Sequence, residues 1–246
     1  MNFFSIFGRY IILMSRVFAK PEKHRIYLKQ TIKEIESLGL NSVGIVIIIS
    51  IFIGAVITLQ TRYNLENSWI PLYLIGLTAR DTLLLEFSST MVGLILAGKV
   101  GSNIASEIGT MRITEQIDAL EMMGINSASY LILPKIVAAM FFNPFLTLIS
   151  MFVGLVGGWL AVIITGALPS ADYIYGIQYL FIPFYVTYAL VKTVVYAFII
   201  TSVSAFYGYH VQGGALEVGR ASTRGVVYSS ILILLADLVL TQMMLA

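Results

Sequence analysis

The chain has 246 residues, of which 58% are hydrophobic and 11% charged, with a net charge of +2. A soluble domain usually carries about 25% charged residues, so the composition excludes a disordered chain, a nucleic-acid binder with a basic face and nearly every soluble enzyme. A spanning helix needs roughly 20 residues, and a mean hydropathy of +0.89 predicts an all-α integral membrane protein. No cysteine is present, which removes disulfides, thiolate metal sites and cysteine nucleophiles. The two histidines, His24 and His210, argue against a bis-histidine haem, and no metal site is expected.

Residues 1–36 form a basic, amphipathic start. Phe3, Phe4, Ile6, Phe7, Tyr10 and Ile11 are mixed with Arg9, Arg16 and Lys20, the pattern of a helix lying in the membrane interface. Pro21 is expected to end it. The short apolar stretch followed by Arg16, Lys20 and Lys23 does not read as a cleavable signal peptide. The first span is expected over 41–59, where GIVIIISIFIGAVITL carries no charge. Residues 60–81 are mixed, and Trp69 and Tyr73 suit an interface belt. Further spans are expected over 82–105, with Glu86 and Lys99 inside; over 131–165, bent or broken at Pro134 and Pro144; over 179–206, with Lys192; and over 225–244, with Asp237. Residues 207–224 read as a loop rich in glycine and charge.

Orientation follows from Lys and Arg. Seven of the fifteen precede residue 40, Lys99, Arg112 and Lys135 flank the link between spans two and three, and Arg220 and Arg224 lie between spans four and five. Arg62 and Arg80 lie on the opposite side. Twelve against two predicts a cytoplasmic N-terminus and, after five spans, a periplasmic C-terminus. Five spans without a visible repeat argue against a secondary transporter built from two equal halves.

Several motifs carry chemistry or packing. The run from Gly93 to Val100 nearly matches the phosphate loop, but Val100 has no hydroxyl for magnesium and no buried strand leads in; a nucleotide site here is rejected. Ala97, Gly101, Ala105 and Gly109 recur every four residues, a stripe that lets helices approach closely either within one chain or between two copies. In TEQIDALEMM at 114–123, Thr114 is a plausible N-cap and Gly124 a C-terminal stop. Ile113, Ile117 and Leu120 share one face, and Glu115, Asp118 and Glu121 share another. An acidic face suits a protein partner better than an anionic lipid surface. A charge at membrane depth costs at least roughly 2.5 kcal/mol, so Glu86 and Lys192 are expected to pair or to line one polar pocket.

The run AGKVGSNIASEIGTMRITEQIDALEMMG at 97–124 resembles the signature of the MlaE/YrbE-type ABC transporter permeases. VGRASTRGVV at 218–227 and LVKTVV at 190–195 resemble two further segments of that family, so the likeness covers essentially the whole chain. Two positions depart from the pattern: Lys99 stands where the family has arginine, and Leu85-Glu86-Phe87-Ser88-Ser89 keeps the glutamate but not its neighbouring arginine or proline.

The resemblance implies a homodimer with five spans per chain, an interfacial N-terminal helix and a coupling helix over 110–124. It implies a separate cytoplasmic ABC ATPase that holds ATP and Mg, with no cofactor in this chain, and a periplasmic protein with an MCE domain. A small STAS-type regulatory subunit is a further expected partner. The implied activity is non-catalytic phospholipid transport between inner and outer membranes. In this reading Val56, Leu59, Leu83 and Leu84 line an acyl-chain cavity, and Arg80, Glu86 and Lys192 tune headgroup contact. Arg112, Thr114, Glu115, Gln116, Asp118 and Glu121 couple the permease to the ATPase. The competing readings are a permease for a sterol or other hydrophobic compound, an ion-coupled carrier using Glu86, Lys192 and Asp237 as relays, and a lipid-modifying enzyme. The enzyme would need a cluster of His and carboxylates that the chain lacks.

Overall fold

In a bilayer every backbone N–H and C=O must be satisfied within the protein, which for these apolar runs means helix. The computed structural model describes residues 3–19, 24–65 and 71–245, and it is helical throughout, with no strand among them. Pro21 and Trp69, which carry two of the sequence expectations, lie outside the described residues, as does Glu66. Helices α1 (Phe3–Val17) and α2 (His24–Glu34) lead through a π-helical turn, Ile35–Leu40, into α3 (Asn41–Asn64). The next long helix runs through α4 (Tyr73–Thr82), α5 (Ser88–Leu96) and α6 (Ser102–Ile113), joined by π-helical turns at Leu83–Phe87 and Ala97–Gly101. Then follow α7 (Gln116–Met122), α8 (Ser127–Thr165), α9 (Ser170–Gln178), α10 (Phe184–Tyr209) and α11 (Ala215–Leu245). Among the described residues five helices are long and apolar enough to cross a membrane.

The helices outrun the expected spans, except that the fourth begins at Phe184 and not at 179. The second reaches from Tyr73 to Ile113 and the last begins at Ala215, so the link between the last two is only 210–214 and not 207–224. Charged residues such as Arg62, Arg112 and Arg220 ride on helical turns that extend past the apolar core. The third spanning helix continues from Ser127 to Thr165 with Pro134 and Pro144 inside it. Neighbouring helices and hydroxyl side chains re-satisfy the carbonyls that a proline frees in a membrane helix. Glycine ends the helix: Gly166, at φ +63°, donates its N–H to the Val162 carbonyl.

Packing depends on small residues. Helix α3 lies along α8, and a Cβ on Gly54 would collide with the Gly154 carbonyl, while one on Gly157 would collide with the backbone of Ile51. At this crossing the buried Ser50 hydroxyl donates to Ser150 Oγ at 2.8 Å. Helix α10 sits at the centre, packed on α5, α6, α8 and α11. Its Tyr196 and Ile200 join Leu96, Ile104 and Ile108 in the main apolar core. Helices α4 and α9 close one end through Ile75, Val162, Leu168 and Tyr173. At the other end α1 lies against α8 and α10, with Leu13, Met14 and Val17 buried and Phe4, Phe7, Ile11 and Ile12 exposed. Two apolar faces on one helix, one toward protein and one outward, suit a helix resting in the bilayer interface.

Substitution at the α3–α8 crossing has a predictable outcome. Overpacking a tight interior commonly costs about 1–3 kcal/mol, and here the obstacle is backbone. Gly54→Val is expected to lower the thermal unfolding midpoint of the detergent-solubilised protein by several degrees. Gly44→Val, which meets nothing within 4 Å, is expected to leave it unchanged.

Candidate functional site

Lys192, on α10, is 0% exposed. Its ammonium donates to Glu86 Oε2 at 3.0 Å, to the Tyr188 hydroxyl at 3.0 Å and to Asp237 Oδ1. These three partners use the three protons of the ammonium. Glu86 comes from the π-helical turn between α4 and α5, and Asp237 from α11, so one cation ties three helices together. A second ring of hydroxyls surrounds the charges. Tyr196 donates to Asp237 Oδ1 at 2.6 Å, Tyr188 donates to Glu86 Oε1 at 3.3 Å, and Thr241 lies 2.7 Å from the Tyr188 hydroxyl. Lys192 also sits 4.7 Å from the Tyr188 ring centre, in cation–π range.

Two carboxylates against one ammonium leave the cluster with an excess negative charge. Its accessible edge is Glu86, whose side chain is 40% exposed against 18% for Asp237. The π-helical turn that carries Glu86 widens the helix by one residue, a device common at functional sites. The structure therefore brings together Glu86 and Lys192, as the cost of intramembrane charge requires, and adds Asp237, Tyr188, Tyr196 and Thr241. Their signal was the four-residue spacing of Tyr188, Lys192 and Tyr196, and of Asp237 and Thr241, which places each set on one helix face.

The other residues assigned to the lipid site are not part of this cluster, although Leu83 and Leu84 share the π-helical turn of Glu86. Arg80 is buried, and its guanidinium is taken by Asp81 at 2.8 Å and by the carbonyls of Ile177 and Tyr179 at 2.8 and 2.7 Å. It locks α4 to the C-terminal end of α9. Leu83 packs with Ile57 and Ala79, and Leu84 packs with Met151 and Ala189, both inside the chain. Val56 is exposed on α3, and Leu59 is half-buried beside it.

The turn after α6 differs from the expected capping. Thr114 is not an N-cap: its N–H donates to the Thr110 carbonyl, and it ends α6. Glu115 takes the left-handed conformation, φ +59°, and α7 begins at Gln116. The other end follows the sequence reading. Gly124, at φ +78°, donates to the Glu121 carbonyl and Ile125 to the Leu120 carbonyl, the paired bonds of a glycine-ended helix.

Arg112 pairs with Asp118 at 2.6 Å, and Gln116 donates to the Thr114 hydroxyl at 3.0 Å. Glu121 accepts from Ser127 and from Tyr209, each at 2.9 Å. These hydrogen bonds, Ser127 first, hold its carboxyl below the usual glutamate range. A depressed acid contributes its anchoring at neutral pH and loses it as pH falls through the lowered value. Glu115, Met122 and Met123 remain exposed, Met122 at 89%, while Ile117 is buried.

The small-residue stripe packs within the chain. Ala97, Gly101, Ala105 and Gly109 are all buried. A Cβ on Gly101 would come within 2.8 Å of Ser204 Oγ on α10, and one on Gly109 within 3.1 Å of Val218 on α11. Lys135, expected as a basic flank, is instead buried and bridges Glu34 on α2 and Glu107 on α6, both at 2.8 Å.

A five-span helical bundle with a buried ion cluster between its spans defines a multi-pass membrane protein whose polar chemistry lies inside the bundle. The model of the family described as Permease MlaE matches residues 31–243, and the chain belongs to this family of ABC transporter permeases. It is 36% identical over 248 residues to a probable ABC transporter permease protein of Rickettsia prowazekii, covering 99% of this chain and 91% of that protein. A chloroplastic protein of Arabidopsis thaliana named TRIGALACTOSYLDIACYLGLYCEROL 1 is 31% identical over 245 residues, 94% of this chain and 66% of that protein. The intermembrane phospholipid transport system permease protein MlaE of Haemophilus influenzae is 29% identical over 251 residues, 99% and 94% of the two chains.

Removing one partner of a buried ion pair commonly costs about 3–5 kcal/mol, because it strands the other charge. Lys192→Met strands two carboxylates and is expected to destabilise the chain by about that amount. Adding Asp237→Asn is expected to recover part of the loss, since one stranded charge is gone. Unfolding of the three proteins in one detergent checks this ordering.

Proposed function

We propose that this chain moves phospholipid between the inner and outer bacterial membranes, driven by a separate ATPase. The observation that carries the reading is the likeness, along almost the full length of both chains, to a permease named for intermembrane phospholipid transport. The buried charge cluster supports it. Glu86 opens one edge of the cluster toward the chain surface, where it offers a polar contact at membrane depth for a headgroup, while apolar helix faces accommodate acyl chains.

In this reading the chain lies in the inner membrane with its N-terminus cytoplasmic and its C-terminus periplasmic, as the twelve-to-two distribution of basic residues favours. Two copies assemble. The exposed stripe of Ile48, Phe52 and Val56 on α3, with Leu59 beside it, would face a shared cavity there. Helix α7 docks the cytoplasmic ATPase, which binds ATP and Mg; its exposed Glu115, Met122 and Met123 form the contact, while Arg112, Asp118 and Glu121 hold the turn in shape. A periplasmic MCE-domain protein receives or delivers the lipid, and a STAS-type subunit completes the assembly. An ion-coupled carrier is not favoured, because every relay candidate is tied into one ion cluster.

The test is lipid transfer between two vesicle populations by the complex with its ATPase, with co-purifying lipids identified by mass spectrometry. Phospholipid is expected to move only with ATP. A Glu115→Lys, Met122→Asp variant is expected to keep its bound lipid while ATP-dependent transfer falls by at least about tenfold, which corresponds to 1.4 kcal/mol of lost coupling. Co-purifying sterol, or transfer driven by an ion gradient without ATP, would replace this function.

A further inference from the structure

Between α1 and the neighbouring ends of α10 and α11 lies a cavity of about 710 Å³. It is distinct from the Lys192 cluster and shares no residue with it. Arg9 and Arg16 from α1, Arg112 from the end of α6 and Arg224 from α11 all line it. Its carboxylates are already engaged: Glu121 accepts from Ser127 and Tyr209, and Glu217 pairs with Arg220. Arg112 is paired with Asp118. Arg9, Arg16 and Arg224 have no carboxylate within ion-pair distance among the described residues. Glu121 feels the charges of Arg112 and Arg16, but the four arginines of the lining outnumber its two carboxylates, and an anion that bridges the arginines offsets the excess. Guanidinium binds phosphate through two parallel hydrogen bonds.

The rest of the lining mixes polar His210 and Gln212 with apolar and aromatic side chains. Phe206, Tyr207 and Tyr228 contribute to it, and Tyr207 stacks on Tyr228 at 5.2 Å with the rings nearly parallel. A bare phosphate ion would leave this surface wet and most of the volume empty. A headgroup with its glycerol and first methylenes occupies both halves, and cavities of several hundred Å³ hold ligands of that size. Depth agrees with this. Helix α1 exposes Phe4, Phe7, Ile11 and Ile12, which sets it in the bilayer interface with the arginines at headgroup level. Basic pockets at that level between helices are where anionic lipids bind.

We propose that this cavity binds the phosphate-bearing headgroup of an anionic phospholipid from the leaflet on which α1 rests. The inference rests on the proposed lipid-transport reading only in taking the chain to sit in a phospholipid bilayer, not in which lipid is moved. The site joins α1, α6 and α11 beside the turn that leads into α7, so its occupancy bears on the placement of that helix.

The experiment is native mass spectrometry of the full chain, delipidated in detergent and titrated with phosphatidylglycerol, phosphatidylcholine and inorganic phosphate. The wild type is expected to retain phosphatidylglycerol at least about tenfold more tightly than phosphatidylcholine, with free phosphate displacing it only weakly. Arg9→Gln, Arg16→Gln and Arg224→Gln together are expected to abolish the preference, and the same three positions as lysine to preserve most of it. Arg224→Gln alone serves if the triple variant does not fold, and is expected to halve the preference or more. Equal retention of the two lipids, or a preference that survives the glutamine variants, overturns the proposal. So does complete displacement by inorganic phosphate, which marks a free-anion site. Loss of ATPase co-purification in the glutamine variants with lipid preference unchanged also overturns it, and marks a protein-docking surface. Failure of the transport reading is a separate result: no ATP-driven lipid transfer by the wild-type complex, with the phosphatidylglycerol preference intact.

Discussion

An ammonium group buried inside an apolar bundle must be given its counter-charges by the protein, because burial takes its solvation away. Lys192 is wholly buried, and it is held by Glu86 and Asp237 from two other helices. The arrangement of α5, α10 and α11 follows from this constraint. Neither carboxylate can move off the lysine without leaving a bare charge, so the three helices are bound to one register. The hydroxyls of Tyr188, Tyr196 and Thr241 complete the coordination. A second buried lysine, Lys135, repeats the device at the end where α2 and α6 meet α8.

Close helix approach is what lets charges of limited reach meet. Where α6 crosses α10, a Cβ on Gly208 would come within 2.7 Å of the Ala105 carbonyl, so the backbones themselves are in contact. Without a hydrophobic force between helices in lipid, such contact surfaces and a few buried hydrogen bonds hold a bundle together. The outward faces are different. Helix α11 exposes Leu234, Leu235, Leu238, Val239 and Met243 on an apolar outward face. The chain thus combines a rigid, ion-pinned interior with apolar outer faces.

Much of this was legible in the sequence, for a physical reason. Charge is expensive inside a membrane, so Glu86 and Lys192 stood out within their apolar runs, and cost together with similar depth pointed to a pair or a shared polar pocket without deciding between them. Asp237 stood out too, but its partner depends on how α11 is rotated against α10, and periodicity does not report rotation between helices. Arg80 read as a headgroup ligand because nothing local showed that the carbonyls of Ile177 and Tyr179, far along the chain, would surround it. Most helix ends were set too short because charged residues such as Arg62 and Arg220 look like loop residues, whereas helices project past the bilayer core; the fourth span was instead started too early, at 179 rather than Phe184. Thr114 looked like an N-cap, but the preceding helix continued through it and Glu115 took the left-handed turn instead. The stop at Gly124 was readable because a positive φ at a helix end favours glycine strongly.

The most direct measurement of the central ion cluster is the ionisation of Asp237 in the folded protein, read by infrared spectroscopy with isotope-labelled aspartate and with Asp237→Asn to assign the band. If Lys192 is held as an ammonium between two carboxylates, the Asp237 band at neutral pH is that of an ionised carboxylate. Replacing Lys192 by methionine then shifts that band, because the ammonium that contacts Asp237 Oδ1 is gone. A protonated Asp237 in the wild-type protein, or an ionised one that is indifferent to loss of Lys192, would contradict the ion-pinned bundle.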